Sequence, residues 1–521
     1  MNHASILRRT LLLASALCSL GGAGGWYADA SRPDDKGDGR TPATAWKTFH
    51  PFIGKVVAAG DTLYLKRGSR WDNTFLVFYH GGTAARPFVA TAFGDEKLPL
   101  PAITDTSSKQ AWVLGLASSH LVVEKIAVHG PNGSCVTTVA DSVTDVVIQD
   151  MEASDCQSGI ALAQVDGAII QRNRVWNIHF PSNLKGGGGG AIAITLDRCR
   201  NIKVLDNVIR DAIDGNPDHE DGGAVELFRR NSNIEIAGNR ARNTAGFLEI
   251  GGLVQDHDTA RQVVVHHNVA QEVQNFLWCS VASAKDSSSQ WGMAYSEVYV
   301  DNNTQIQDGR KAGLTVGVSI HLEDSTQIRV RNNLFVGDSQ AGFLFFGPFD
   351  RQNNLFWSKN FPVKYEKPFA PGEKSADPLI HPDTTNLTYT LDLASPARDA
   401  GTALVYPSSL GALRLPPIAD GKPDIGALEM GSTSIAFHAR RFQGALRREG
   451  NRVAWDGWAN ASGTLSARLV DAQGRVVFSE RTSHAVGSVG KTWDLPKARG
   501  VLVMTVKLDG IRQSMVLAPA R

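Results

Sequence analysis

Between residues 120 and 354 short apolar runs alternate with single polar positions and end, one after another, in a small polar residue. Val122-Val123-Glu124-Lys125-Ile126 and Val146-Val147-Ile148-Gln149-Asp150-Met151 open the series. It continues as Ile169-Ile170-Gln171-Arg172-Asn173, Lys203-Val204-Leu205-Asp206-Asn207 and Glu235-Ile236-Ala237-Gly238-Asn239. Val264-Val265-His266-His267-Asn268, Tyr299-Val300-Asp301-Asn302-Asn303, Arg329-Val330-Arg331-Asn332-Asn333 and Gln352-Asn353-Asn354 complete it. Alternation over runs this short predicts strands. From Asn173 the closing asparagines follow at 34, 32, 29, 35, 30 and 21 residues. A strand-bearing unit of that period predicts a solenoid, one coil turn per repeat with the excess in loops. A β-propeller would need four strands in each repeat of roughly 40 residues, and these repeats are too short. Asparagine at one corner of every turn predicts an amide ladder whose members bond their neighbours and tolerate a left-handed turn.

The flanks change the picture at both ends. Trp26 opens WYADASRPDDKGDGRTPATAWKTF, followed by Gly60-Asp61-Thr62-Leu63-Tyr64-Leu65 and Gly82-Thr83-Ala84-Ala85-Arg86-Pro87-Phe88-Val89. These segments resemble the start of secreted right-handed parallel β-helix proteins of the pectate-lyase-like superfamily, which act on polysaccharides. Pro423-Asp424-Ile425-Gly426-Ala427-Leu428-Glu429 is similar to the segment that closes such domains. The resemblance covers residues 26–430. It implies an all-β fold, a right-handed parallel β-helix solenoid, whose Ala-Trp-Lys-Thr segment leads into a capping helix. It implies polysaccharide chemistry without fixing the reaction. Asp377-Pro378 to about Pro417 reads as an irregular closing extension. Residues 431–521 alternate instead as Arg452-Val453-Ala454-Trp455, Leu465 to Val470, Gly474 to Phe478 and Val501 to Val506. They predict a small C-terminal antiparallel β-sandwich, an accessory or sorting-like domain.

Composition adds export and removes nucleic acid. Arg8-Arg9, an apolar run from Leu11 to Leu20 and small residues after it form the plan of a signal peptide over residues 1–25. The arginine pair admits Tat as well as Sec export. No later run is long enough to span a bilayer. A formal charge of +1 gives no basic footprint for nucleic acid. The expectation is an exported monomer, periplasmic, cell-surface or extracellular. Of the four cysteines beyond the signal, Cys135, Cys156, Cys199 and Cys279, none has zinc spacing; they read as buried small hydrophobes, with a Cys135–Cys156 bridge open.

Chemistry concentrates in Gly186–Gly252. Gly223-Ala224-Val225-Glu226-Leu227 and Gly246-Phe247-Leu248-Glu249-Ile250 share a Gly-x-x-Glu-apolar pattern, and 249 − 226 gives 23 residues. Alignment on the glycines places Ala193, Glu226, Glu249 and Trp278 in one column. The flanking pairs Val225/Leu227, Leu248/Ile250 and Leu277/Cys279 are apolar, so alternation sends both glutamates and Trp278 outward. Carboxylates on adjacent turns would lie about 5 Å apart, the spacing of the nucleophile and acid of a retaining glycosidase. Like charges that close raise one pKa towards the range of a working acid. Trp278 is a candidate platform for a sugar ring.

The acidic loop Asp211–Asp221 supplies further candidates. Asp214, Asn216 and Asp218 have the alternate-oxygen spacing of a calcium ligand set, although the EF-hand pattern fails at His219 and Val225. Calcium is the one candidate cofactor, and the glutamate pair requires none. His219 is a candidate proton-transfer group. Lys185, Arg229 and His257 are candidate substrate contacts. With Arg198, Arg230, Arg242, His266 and His267 they are also the cations and bases a polysaccharide lyase would need. The leading expectation is a glycoside hydrolase acting on a polysaccharide or oligosaccharide through Glu226 and Glu249. The alternatives are a lyase acting by β-elimination on a uronate glycan and a non-catalytic glycan-binding or surface protein, since long solenoids make binding faces.

Overall fold

A computed structural model of the chain describes residues 24–429, except residue 54, 108–110, 131, 180–189, 215–221, 280–292, 308–317, 321–327, 338–349, 359–368, 417 and 419–420, together with strands between 445 and 517. It divides into two compact units, residues up to Ala92 with Leu100–Ser432, and Phe93–Pro99 with Thr433–Arg521.

The first unit is a parallel β-helix. Each coil turn contributes a strand to each of up to three ladders. The first ladder has twelve strands, from Gly25–Ala28 to Asp350–Gln352, each inner one hydrogen-bonded to the strands before and after it in the ladder. A second ladder runs from Arg70–Asp72 to Lys374–Ser375, and a third from Leu76–Phe78 to Val318–Ile320. They merge where Arg240–Gly251 and Val269–Cys279 run unbroken through the corner between them. Constant register stacks like on like along the axis. Val146, Ala168, Ile202, Ile234, Val263, Val298 and Ile328 form one such column. All seven are buried in one core that runs the length of the coil, and burial contributes roughly 1.5–3 kcal/mol for each large aliphatic side chain.

The asparagine ladder is present at the corner between the first and second ladders. Asn173, Asn207, Asn239, Asn268, Asn303, Asn333 and Asn354 are fully buried. From Asn207 onward each takes two hydrogen bonds on its Oδ1 from the preceding member, as Asn239 does from the backbone N and Nδ2 of Asn207 at 3.0 and 2.9 Å. Each donates through Nδ2 to a carbonyl of the turn before, Asn239 to Val204 at 2.9 Å. Asn173 accepts from Met151 N at one end, and Asn354 donates to Glu373 Oε1 at the other. One detail of the expectation changes. The left-handed backbone belongs to the residue before each ladder member, including Arg172, Asp206, His267, Asn302 and Asn332. The ladder asparagine itself is the first residue past the turn, where its amide can point into the coil.

The N-terminal end departs from the resemblance. No α-helix caps the coil among the described residues. A 3-10 turn at Pro42–Thr44, capped by Thr41, precedes a single turn in which Phe52 and Ile53 N donate to Phe49 O. Aromatic side chains close the coil: Trp26 stacks on Trp46 at 5.5 Å and Phe49 packs against Trp71 at 4.6 Å. Gly39, at φ 69, lies so near Trp46 that a Cβ would sit 2.5 Å from the indole. Cys135 and Cys156 form a disulfide across 5.7 Å between Cα atoms, while Cys199 and Cys279 are buried free thiols.

The closing extension folds back over the first and second ladders. Its hairpin pairs Ile380–Asp383 with Thr388–Leu391. Tyr389, buried, meets Thr304 Oγ1 at 2.9 Å and accepts from Leu428 N. Further along, Arg414 N donates to Glu235 Oε1 at 2.5 Å, while Lys203 Nζ holds both Glu235 and Ala412 O. His266, fully buried, completes the site with Nε2 at 3.2 Å from Glu235. Burial alone would raise the Glu235 carboxyl, but the His266 hydrogen bond and the Lys203 charge outweigh it and bring it down to about 2. A depressed carboxyl stabilises the fold above its unfolded value near 4.5, and that contribution is lost as pH falls towards 2. Denaturant unfolding between about pH 5 and pH 2 is expected to show a steep loss of stability, of which Glu235→Gln removes roughly 3 kcal/mol.

The second unit is antiparallel throughout. One sheet joins Ala445–Glu449, Arg452–Ala459 and Gly487–Asp494; the other orders Val476–His484, Gly463–Asp471, Leu502–Leu508 and Ile511–Leu517. Trp493 of the first sheet donates its indole N–H to Glu480 of the second at 2.7 Å.

Candidate functional site

The third ladder places the glutamates. Strand Gly223–Phe228 pairs in parallel with the second half of Arg240–Gly251, with Val225 opposite Leu248, Glu226 opposite Glu249 and Leu227 opposite Ile250. One turn on, Glu249 is opposite Trp278. The flanking aliphatics are fully buried, both glutamates are half-buried, and Trp278 is 43% exposed. Period-two alternation therefore does what the sequence requires, and adjacent parallel strands hold the two Cα atoms about 4.8 Å apart. The 23-residue spacing has a local cause. Arg240–Gly251 turns the corner as a continuous strand, with no insertion between the second and third ladders.

Ala193 does not belong to this row. Ile194 pairs with Val225 and Thr195 with Glu226, so the outward row reads Thr195, Glu226, Glu249, Trp278. Ala193 precedes Ile194 and is fully buried, like Ala224, Phe247 and Phe276 at the same step of their strands. Alignment on glycine holds between Gly223 and Gly246, which are opposite each other, and fails one turn earlier, where Gly223 is opposite Ile192 rather than Gly190. The sterically demanding glycine is Gly222, at φ 128, where a Cβ would lie 2.8 Å from Ala212 O.

Two residues further along these strands a second outward row carries Asp197, Phe228 and Gly251. Asp197 takes Arg198 through Nε at 3.2 Å and Nη2 at 3.1 Å. Arg229 Nε lies 3.9 Å from the same carboxylate, and its guanidinium lies 4.9 Å from the centre of the Phe228 ring. Arg198 and Arg229 have φ of 54° and 62°, so each ends its strand by turning the chain. Sequence reasoning named Arg229 and overlooked Asp197 and Thr195. The alternation Ile194-Thr195-Leu196-Asp197 would have exposed both. Behind Glu249, Tyr295 donates to Ile250 O at 3.1 Å and hydrogen-bonds Cys279. Burial pushes both the Cys279 thiol and the Tyr295 hydroxyl up; at Cys279 the Glu249 charge adds to it, and at Tyr295 the neighbouring Cys279 adds more than Glu249 does.

Other candidates disperse. His257 is exposed in the turn after Val254–Asp256, outside the row, beside a buried Asp258 that accepts from Arg230 Nε at 3.0 Å. His266 lies in the first ladder against Glu235, with His267 Nδ1 2.9 Å from its own Nδ1, and Arg242 lies in the second ladder. The basic groups expected around one region thus point from three faces, because the chain turns a corner every few residues. Lys185, Asn216, Asp218 and His219 lie outside the described residues. Asp214 is described, and among the described residues no three His, Cys, Asp or Glu side chains are grouped to hold a metal ion.

No protein-family model and no curated relative matches the chain. Solved structures similar to it include the GH136 lacto-N-biosidase from Eubacterium ramulus, at TM-score 0.47 and 14% identity over 68% of this chain and 67% of that one. A rhamnogalacturonan lyase is similar at TM-score 0.37 and 12% identity over 60% and 87%. A PL6 family alginate lyase is similar at TM-score 0.33 and 14% identity over 71% and 59%. What the chain shares with them is the parallel β-helix, an assignment that its own strand register carries.

Proposed function

We propose that the protein is an exported carbohydrate-active enzyme that hydrolyses glycosidic bonds through Glu226 and Glu249. The observation that carries this reading is their register: two outward carboxylates on consecutive turns, with an exposed tryptophan on the next. A separation near 5 Å suits a retaining mechanism, in which one carboxylate attacks the anomeric carbon and the other protonates the leaving oxygen. Trp278 would hold the apolar face of a ring beside the scissile bond. The N-terminal segment and the Cys135–Cys156 disulfide support an oxidising compartment outside the cytoplasm. The rival, elimination, draws on Arg198 and Arg229 beside Asp197 as neutralisers of a uronate.

Product mass after digestion of a polysaccharide panel separates them. Hydrolysis adds one water per cleavage, whereas elimination adds none and leaves an unsaturated sugar absorbing in the near ultraviolet. Unsaturated product would sink the hydrolase. Binding without any product would leave a glycan-binding protein.

A further inference from the structure

The second ladder carries charge for which the glutamate row has no use. Trp176, Arg210 and Arg242 are consecutive Cα partners on three successive turns, so their side chains step along the coil at about 4.8 Å. Their inward neighbours Val175, Ile209 and Ala241 are fully buried, and the three themselves are half-exposed. Two guanidinium groups directly opposite each other repel. Several outward arginines elsewhere on the coil are matched with acids: Arg172 with Asp150 at 2.7 Å, Arg174 with Glu152 at 3.3 Å and Arg331 with Asp301 at 2.7 Å.

Here they are not. Among the described residues Arg242 has neither an ion pair nor a hydrogen bond. Arg210 donates to the carbonyls of Thr385 at 2.7 Å and Thr384 at 3.4 Å, which bring partial charge only. The acids whose charge reaches Arg210 are Asp211 and Asp383, and among the described residues neither forms an ion pair with it. Asp211 Oδ1 accepts from Asn243 at 2.6 Å, and Asp383 accepts from Thr385 N, Asn386 N and Asn386 Nδ2 within its own turn. Burial, and then the Arg242 charge, lower the Arg210 pKa against the pull of Asp211 and Asp383.

We propose that Trp176, Arg210 and Arg242 form a binding subsite for an anionic sugar residue, separate from the glutamate row. A carboxylate or sulfate ester between the two guanidinium forks would take paired hydrogen bonds and relieve their repulsion. The indole one turn away offers the ring an apolar face, with the Arg174 guanidinium 5.6 Å from the ring centre. A bare inorganic anion would use the arginines and gain nothing from Trp176. A polynucleotide would need the broad basic surface that a chain of charge +1 lacks. An acidic polysaccharide held here stays on the coil whatever happens at the glutamates, so the inference does not rest on their being catalytic. It adds a second point of attachment for a long polymer.

Calorimetric titration of the whole chain with tetragalacturonate, a sulfated tetrasaccharide and the neutral cellotetraose tests it. The expected result is binding of one or both anionic ligands at least about tenfold tighter than the neutral one, weakening as salt rises. Arg242→Gln abolishes that preference, Arg242→Lys retains part of it, and Trp176→Ala weakens the anionic ligands while leaving thermal unfolding unchanged. Glu226→Gln leaves the preference intact, which separates this subsite from the glutamate row. Three outcomes would overturn the proposal: no preference for charge, unchanged anionic affinity in folded Arg242→Gln and Trp176→Ala proteins, or inorganic sulfate binding as tightly as the sugars, an ion site only.

Discussion

Glu226→Gln and Glu249→Gln are each expected to lower turnover of a glycan substrate by on the order of 10²–10⁴, the range that a positioned acid or base supplies. Thermal stability does not fall with it. The two side chains stand opposite each other on parallel strands, so removing one charge relieves a repulsion worth about 0.2–1 kcal/mol. Activity lost while stability holds or rises is the signature of groups kept for chemistry. In the proposed mechanism both carboxylates act on one bond, so the double variant should be hardly worse than the poorer single one. The pH profile of kcat/KM should be bell-shaped in the parent and lose one limb in each variant, which assigns acid and nucleophile. Turnover within about threefold of the parent in either variant removes that glutamate from the mechanism.

Asn239→Ala is expected to cost about 4 kcal/mol, more than any substitution on the outward rows. The Asn239 amide accepts from the backbone and side chain of Asn207 and donates to Val204 O and Asn268 Oδ1. All of these groups lie in a fully buried column. Alanine leaves donors on one side and acceptors on the other without partners or water, at roughly 1–3 kcal/mol for each unsatisfied group. A coil is held turn to turn, so the damage should spread to both neighbours. Denaturant unfolding followed by hydrogen exchange reads this directly: the strands ending at Leu205 and His266 should lose protection before the rest of the first unit. Equal protection along the whole coil would show that the ladder is not what couples its turns.

The sequence by itself determined the coil, its amide ladder and the meeting of Glu226, Glu249 and Trp278. Inward aliphatics on both sides of each of these residues fix the register, since a slip of one residue would turn a whole strand inside out. Alternation is a local property, and it is legible wherever the strands are regular. Corners are another matter. Each turn has three of them, with insertions of different length, so residues near in sequence face different ways. Only the tertiary structure decided that His266 joins Glu235, that Arg242 faces out beside Arg210, and that Thr195 rather than Ala193 stands next to Glu226. It likewise decided which cysteines pair and how the extension after Asp377 grips the first ladder through Arg414 and Glu235. The contact between Arg414 and Glu235 spans 179 residues. Chain closure over such distances costs little more for one partner than for another, so no local pattern announces which partner will be found.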